Sequence, residues 1–343
     1  MRIEDEVKLD YSDVLIRPKR STLGSRKQVR MERKFEFRHY DNNEEYHYQG
    51  IPIMASNMDG VGTFEMADTL GEKGIFTCLV KTYSVGELVG YFDEANAPSW
   101  RCQYVAMSIG VKEEDEIKFR NVYEQVGNKL KYVCIDVANG YSQRFIEYVK
   151  HFRQNYPDLV IIAGNVVTSE GVKQIMDSGA DGVKVGIGSG GVCDTTETTG
   201  IGYPQLAAVI DCSIEVKKYG GFIVSDGGVK ITGDISKAFA AGSGFVMLGS
   251  LLAAHKESMA PIIRKENRNY RELYGMSSTQ AMTKHYGGVA DYRTSEGKSI
   301  LVEDRGPVKY TLNKMLGALR STCTYINAKN IGEIHKNSRF IIL

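Results

Sequence analysis

Gly221-Phe222-Ile223-Val224-Ser225-Asp226-Gly227-Gly228 decides the fold. A run of apolar, partly β-branched residues stops at an acidic residue and two glycines, the pattern of a buried strand that ends in a tight turn. The only internal echo is weak and lies on either side of it, Ser178-Gly-Ala-Asp-Gly-Val-Lys-Val-Gly186 against Ala241-Gly-Ser-Gly-Phe-Val-Met-Leu-Gly249. Short runs of this kind give eight strands, at 51 to 55, 75 to 80, 104 to 109, 132 to 136, 159 to 163, 182 to 186, 221 to 225 and 244 to 248. Helical patterns lie between them. Phe145, Val149 and Phe152, bracketed by Ser142 and Pro157, have the i, i+4, i+7 spacing of a surface helix. Strands alternating with helices imply a parallel sheet joined by crossover helices, and eight is the number that closes such a sheet on itself. The expected fold is therefore α/β, a (β/α)8 TIM barrel.

Two segments fall outside the rhythm. Residues 1 to 50, rich in Arg, Lys, Tyr and Glu, are expected to form an N-terminal extension over one mouth of the barrel. Residues 264 to 310 are polar and rich in Gly, Ser and Thr, without convincing periodicity except around 277 to 285. A segment of that length inside a compact domain is a functional lid or a disordered linker, and an active-site flap is the favoured reading. Residues 311 to 343 are read as a C-terminal helix, over 312 to 322, and a tail. The 343 residues together are expected to be one catalytic domain.

Composition narrows the function. The net charge of +1 argues against nucleic acid as the main partner, and no run of about 18 apolar residues suggests a membrane span. The charged start, Met1-Arg-Ile-Glu-Asp-Glu6, lacks the apolar run of a secretory signal, so a cytoplasmic enzyme is expected. The six cysteines, at 78, 102, 134, 193, 212 and 323, form no Cys-x-x-Cys pair, which suits a reducing compartment and offers no metal-site spacing. Cys78 and Cys134 sit in apolar runs and read as small core residues.

Active sites of such barrels form at the carboxyl ends of the strands, with phosphate commonly held by the last two loops. Those loops are Ser225-Asp226-Gly227-Gly228 and Gly249-Ser250, where glycine lets backbone N–H groups approach an anion. The loop after the sixth strand runs from Gly186 through Cys193 to Gln205. Its Gly186-x-Gly188-x-x-Gly191 is formally a dinucleotide fingerprint, with Asp211 near the expected acidic position. That reading is rejected: a helix must open at once, whereas 192 to 204 hold threonines, two more glycines and a proline, and five strands come first. A pliable loop presenting Cys193 above the mouth explains the glycines better. Thiols are nucleophilic enough to add to an electrophilic ring carbon. From spacing alone, a structural cysteine in a turn remains the alternative.

The loop ending Thr199-Gly-Ile-Gly-Tyr-Pro-Gln205, the strand end Asp136-Val-Ala-Asn-Gly-Tyr141, the turn Ser225 to Gly228, and the flap motifs Tyr274-Gly-Met-Ser-Ser278 and Tyr292-Arg-Thr-Ser-Glu-Gly-Lys298 together resemble the GMP reductase family, as does Asp13-Val-Leu-Ile-Arg-Pro-Lys-Arg-Ser-Thr22. The resemblance runs from about residue 5 to about residue 340. It implies reduction of GMP to IMP and ammonia by NADPH, in purine nucleotide salvage, through a thioimidate on Cys193, with Thr195 and Glu296 supporting proton transfer to the departing amine. It further implies that Asp226, Gly227, Gly228, Gly249 and Ser250 hold the phosphate and ribose, and that Gly275, Met276, Ser277, Arg293, Thr294, Ser295 and Gly297 meet the base and ribose. Ser25, Arg26, Lys81, Asp136, Val137, Ala138, Gly188, Met276, Tyr292, Arg293, Ser321, Thr322, Cys323 and Thr324 match the NADPH site. Backbone carbonyls of Gly188, Gly190, Cys193 and Thr196 match a monovalent cation site, potassium in this family, which also forms homotetramers.

The match has two departures. After the cysteine the family usually reads Thr-Thr-Arg, and here stand Asp194, Thr195 and Thr196, followed by Glu197. A carboxylate turned toward the thiol would oppose its ionisation. Ser250 replaces a common second glycine. Two alternatives stay open: an IMP dehydrogenase-like oxidoreductase, and a purine-nucleotide-binding protein with impaired catalysis. Against the first, only residues 81 to 103 separate the second and third strands, too few for the regulatory CBS pair usual there.

Overall fold

The computed structural model describes residues 3–39, 48–93, 97–289, 291–292 and 294–343. Fourteen strands occur among them. The two short outer ones are β1 (Val14–Ile16) and β2 (Arg33–Phe35). Eight follow in rhythm: β3 (Tyr48–Ala55), β4 (Ile75–Cys78), β5 (Val105–Ile109), β6 (Tyr132–Asp136), β7 (Val160–Val166), β8 (Gly182–Val185), β9 (Phe222–Asp226) and β10 (Phe245–Leu248). The last four are β11 (Ile262–Lys265), β12 (Arg268–Tyr274), β13 (Ser299–Glu303) and β14 (Phe340–Ile342).

The strands β3 to β10 pair in parallel with their neighbours, and β10 returns to β3 through Val246↔Ile53, Met247↔Met54 and Leu248↔Ala55. The sheet is closed, so the protein is a (β/α)8 barrel. All eight expected strands are present. Helices cover the outside, and the Ser142–Pro157 pattern forms one over Gln143–Asn155, with the Ser142 side chain capping its N-terminus. Its buried face is Phe145, Val149 and Phe152.

Alternation along each strand sorts side chains into two cores. Outward-facing Ile53, Ile75, Val133, Ile161, Val183 and Val246 pack beneath the helices. Inward-facing Met54, Phe76, Cys134, Ile162, Val224 and Phe245 fill the barrel, with Cys78 also fully buried there. Bulky inward residues make the interior a packed core rather than a pore.

The N-terminal extension closes the mouth where the strands begin. There β2 runs antiparallel to the first residues of β3, with Phe35 opposite Tyr48. The Phe35 ring stacks on Phe245 at 4.5 Å, and Phe37 meets Tyr132 edge-on at 5.8 Å. This aromatic plug leaves the other mouth, at the strands' carboxyl ends, as the place for a site. Further out, β1 pairs antiparallel with β14, tying the two ends of the chain together.

The expected flap differs in one respect from its sequence reading. The segment lacks periodicity as a sequence, yet β11, β12 and β13 form a three-stranded antiparallel sheet inserted between β10 and the helix Val308–Tyr325. The periodicity is hidden because β11 is exposed along its whole length and β13 nearly so. The β11–β12 hairpin turns at Glu266 and Asn267, both with positive φ, where glycine is the usual signal. The one suspected helix is present, over Thr279–Tyr286. The C-terminal helix is longer than expected, Val308–Tyr325.

Candidate active site

Each barrel strand delivers its last residue to the open mouth, and two of these are carboxylates. Asp136 ends β6, Asp226 ends β9, and Lys184 lies on β8 between them, 2% exposed. Its ammonium contacts Asp136 Oδ1, Asp226 Oδ2 at 3.3 Å and Asn57 Oδ1 at 3.3 Å. Burial alone would lower the Lys184 pKa, but the charges of Asp136 and Asp226 outweigh it and hold it well above the ordinary value. Burial likewise tends to raise the Asp136 pKa, and Lys184 reverses that. Asn165, next to last on β7, donates from Nδ2 to Asp226 Oδ2 and to the Gly186 carbonyl, both at 2.8 Å.

The glycine turns interlock over this floor. A Cβ at Gly186 would stand 1.8 Å from the Asp226 carbonyl oxygen, so only glycine lets the loops after β8 and β9 pass. Gly227 has φ +92°, and a Cβ there would meet Ser189 Oγ at 2.4 Å. Gly228 N–H donates to the Ser189 carbonyl at 2.9 Å, so that donor serves the turn itself. Ser189 Oγ donates to Gln205 Oε1 at 2.9 Å, and the buried Gln205 amide donates to the Val185 carbonyl at 2.7 Å. After β10, the Ser250 carbonyl accepts from Arg305 at 2.7 Å.

Cys193 sits above the floor, partly exposed. Its Sγ donates to Thr195 Oγ1 at 3.2 Å, and that hydroxyl donates to Glu296 Oε2 at 2.9 Å. A thiol, a hydroxyl and a carboxylate thus form one chain of hydrogen bonds pointing away from the sulfur. The backbone holds them there. Glu296, Gly297 and Lys298 lie as a short bridge between the cysteine loop and residues 275 to 278: Asp194 N–H donates to the Glu296 carbonyl at 2.8 Å, Lys298 N–H to Val192 at 3.1 Å, and Glu296 N–H to Ser277 at 3.1 Å. Asp194, whose charge could have opposed the thiol, has its Oδ1 3.1 Å from Lys298 Nζ. Lys298 therefore balances the charge introduced at 194. The short helix Thr195–Thr199 follows the cysteine, too brief and too late to be the helix of a dinucleotide fingerprint.

The flap is anchored from its far side. Asp59, in the loop after β3 and 7% exposed, accepts from Tyr274 Oη at 2.7 Å and Lys284 Nζ at 3.1 Å, and contacts His285 Nε2 at 2.5 Å. Its own N–H points at Met276 Sδ, 3.3 Å away.

The structure gathers the expected substrate residues at this mouth. Gly275 and Gly297 touch closely enough that a Cβ on either would come 3.3 Å from the other's Cα. Ser295 Oγ donates to the Gly297 and Ser277 carbonyls, at 2.9 and 3.3 Å, Thr294 is exposed, and a Cβ at Gly249 would lie 3.2 Å from Met58 Sδ. Arg293 lies outside the described residues. The expected cofactor residues fall into two groups. Lys81, Asp136, Val137, Ala138 and Gly188 are at strand ends or loops of the mouth, and Tyr292 is 88% exposed. Ser25 and Arg26 belong instead to a short helical turn packed on Val308–Tyr325, which carries Ser321 to Thr324. Among the described residues no hydrogen bond or ion pair joins this second group to the mouth. The Cys323 side chain is fully buried in the helix layer, so it offers a cofactor no side-chain contact.

For the expected cation, a Cβ at Gly188 would lie 2.2 Å from Thr196 Oγ1, which puts the two ends of that carbonyl set side by side. The Gly190 and Thr196 carbonyls each accept one backbone N–H, from Cys193 and Gly200, and keep a second lone pair. No cluster of three or more His, Cys, Asp or Glu residues suited to a metal occurs among the described residues.

Sequence reasoning passed over Asn57, Asp59, Asn165, Lys184, Ser189, Lys298 and Arg305. One signal was available. A lysine inside the apolar strand Gly182-Val-Lys-Val185 contradicts the usual exposure of lysine and marks a paired buried charge.

A family model described as the IMP dehydrogenase / GMP reductase domain matches residues 8–343. A GMP reductase of Buchnera aphidicola is 49% identical over 341 residues, covering 99% of this chain and 95% of that protein. GMP reductases of Aeromonas hydrophila and Caenorhabditis elegans are each 47% identical, over 99% of this chain and 96% and 93% of theirs.

Proposed function

The chain belongs to the IMP dehydrogenase / GMP reductase family, and from that premise we propose that it reduces GMP to IMP and ammonia with NADPH through a covalent bond between Cys193 and the purine ring. It is an oxidoreductase, and near-full-length identity to named GMP reductases supports that activity over the dehydrogenase. The span between β4 and β5, residues 79 to 104, is also too short to hold a regulatory domain pair of about 120 residues. No helix is long and apolar enough to cross a membrane among the described residues.

One observation carries the mechanism: the chain Cys193 Sγ to Thr195 Oγ1 to Glu296 Oε2. As the sulfur bonds to C2 of the guanine ring, its proton passes to Thr195 while the Thr195 proton passes to Glu296. Glu296 then returns that proton to Thr195 as the Thr195 hydroxyl gives one to the amine, which departs as ammonia and leaves a thioimidate. An amine leaves poorly until protonated, and a positioned proton donor is worth about 10²- to 10⁴-fold in rate. NADPH, when bound, supplies the hydride for C2, after which the C2–S bond breaks and the Cys193 thiolate takes up a proton from solvent, its first having left with the ammonia. The turns at Gly227 and Gly249–Ser250 hold the phosphate, and Asp226 accepts the ribose hydroxyls. Lys81 and Asp136 fit the cofactor: the Lys81 ammonium makes no ion pair among the described residues, and Asp136 is kept charged by Lys184. Carbonyls at Gly188, Gly190, Cys193 and Thr196 fit potassium, since hard cations take oxygen ligands. The separation of Ser25, Arg26 and Ser321 to Thr324 from the mouth supports a homotetramer in which a second copy brings that group to the cofactor.

The test is direct. Purified protein, GMP and NADPH are expected to give IMP and ammonia with loss of nicotinamide absorbance. Tight GMP binding without NADPH oxidation would support a non-catalytic binder, and NAD reduction on adding IMP would support the dehydrogenase.

A further inference from the structure

We infer that Lys184 is a positioning residue that couples the two halves of the site, holding Asp136 for the cofactor and Asp226 for the substrate through one buried ammonium. The inference rests on the activity proposed above and goes beyond it, because Lys184 touches neither ligand in that reading.

The geometry is specific. Lys184 leaves β8, crosses β7 and reaches the end of β6, while its neighbour on the other side, β9, supplies Asp226. The crossing needs space that a side chain on β7 would occupy. Gly164 provides it, since a Cβ there would lie 2.7 Å from Lys184 Cβ and 2.6 Å from the Lys184 carbonyl oxygen. Asp226 Oδ2 receives both Lys184 and Asn165, so its other oxygen, Oδ1, has no hydrogen bond among the described residues and remains for a ligand. Asn57 completes the cradle from the loop after β3. The ionisable groups facing the ammonium from the surrounding strands are Asp136 and Cys134 of β6 and Asp226 of β9. Cys78 of β4 faces it too, and Lys81, after β4, acts on Asp136.

The cluster of one lysine and two carboxylates carries a net charge of −1. Without the ammonium, two carboxylates would share a small, largely buried volume and repel each other, so each would turn from its working position. The two ligand sites therefore depend on a single cation. Substituting a residue that faces only one site cannot have that effect.

The test compares steady-state constants of the full-length enzyme. Lys184→Met, which keeps the stem and removes the charge, is expected to raise KM for both GMP and NADPH by about tenfold or more, with a smaller loss in kcat at saturation. Asp226→Asn raises KM for GMP alone, and Asp136→Asn raises it for NADPH alone. In the Asp136→Asn background, Lys184→Met adds nothing further to KM for NADPH, because the coupling partner is already gone. Lys184→Arg restores both constants to within a few-fold of wild type, which a loss of packing would not allow; it also carries the test should Lys184→Met not fold. Overturning results are a Lys184→Met enzyme with only one constant changed, additive effects in the double variant, or a folded Lys184→Arg enzyme as poor as Lys184→Met. A wild-type protein that does not oxidise NADPH with GMP would instead fault the proposed activity, a separate outcome.

Discussion

Replacing Asp59 with alanine should open the flap without unfolding the barrel. The carboxylate lies on the barrel and its three partners, Tyr274, Lys284 and His285, lie on the flap, so the loss falls on the contact between them. Lys284 is 58% exposed and its pair contributes little, below about 1 kcal/mol. Tyr274 and His285 are largely buried, and each bond to a carboxylate is worth about 1.5 kcal/mol or more. The total is about 3 kcal/mol, which lowers the ratio of closed to open flap about 150-fold. Hydrogen exchange at residues 275 to 278 and 294 to 298 should quicken accordingly, while amides of β5 to β8 keep wild-type protection. KM for GMP should rise with it, since Met276 and Glu296 ride on the flap. Asp59→Asn, which still accepts from Tyr274, should fall in between. Acid should act like the substitution. Burial pushes the Asp59 pKa up, but His285, Tyr274 and Lys284 outweigh it and hold it below the ordinary 3.8. A carboxyl depressed in the folded state stabilises fully above its ordinary pKa and loses that contribution as pH falls through the folded value. Flap protection should therefore be level from neutrality down to that range and fall only in stronger acid. Unchanged flap exchange in Asp59→Ala would refute the anchor.

Glu296→Gln should lower kcat by about 10²-fold or more with KM for GMP nearly unchanged, as measured by nicotinamide absorbance, because the amide holds Thr195 but cannot take its proton. Gly186→Ala should abolish binding of GMP by calorimetry or prevent folding, since the added carbon would stand 1.8 Å from the Asp226 carbonyl oxygen. Phe35→Ala should cost about 3 kcal/mol or more in denaturant unfolding while the folded fraction keeps its activity, because the aromatic plug closes the mouth opposite the site.

The barrel was legible because its strands are short apolar runs ended by glycine or acid, a pattern set by burial on both faces. The flap sheet was not. Its outer strands are almost wholly exposed, apolar Ile262, Ile263, Ile300 and Leu301 included, so no alternation marks them, and its turn uses Glu266 and Asn267 where glycine would have given it away. In the site, local spacing singled out the glycine turns but left Cys193 between a nucleophile and a structural cysteine. Thr195 and Glu296 meet across 101 residues, and only resemblance to a family pointed to the pair. Asp59 and His285 are 226 residues apart, and neither carries a local sign of the other. Lys184 did carry one, a charge in an apolar strand. Asp194, an apparent obstacle in sequence, is offset by Lys298, a contact that depends on how the flap folds back.

The central claim is that the Cys193 sulfur performs the chemistry and does not merely line the pocket. Cys193→Ala, given GMP and NADPH, decides it. GMP binding is expected to stay close to wild type by calorimetry, with no oxidation of NADPH above the enzyme-free rate. Turnover in that variant comparable to the unmodified enzyme would contradict it.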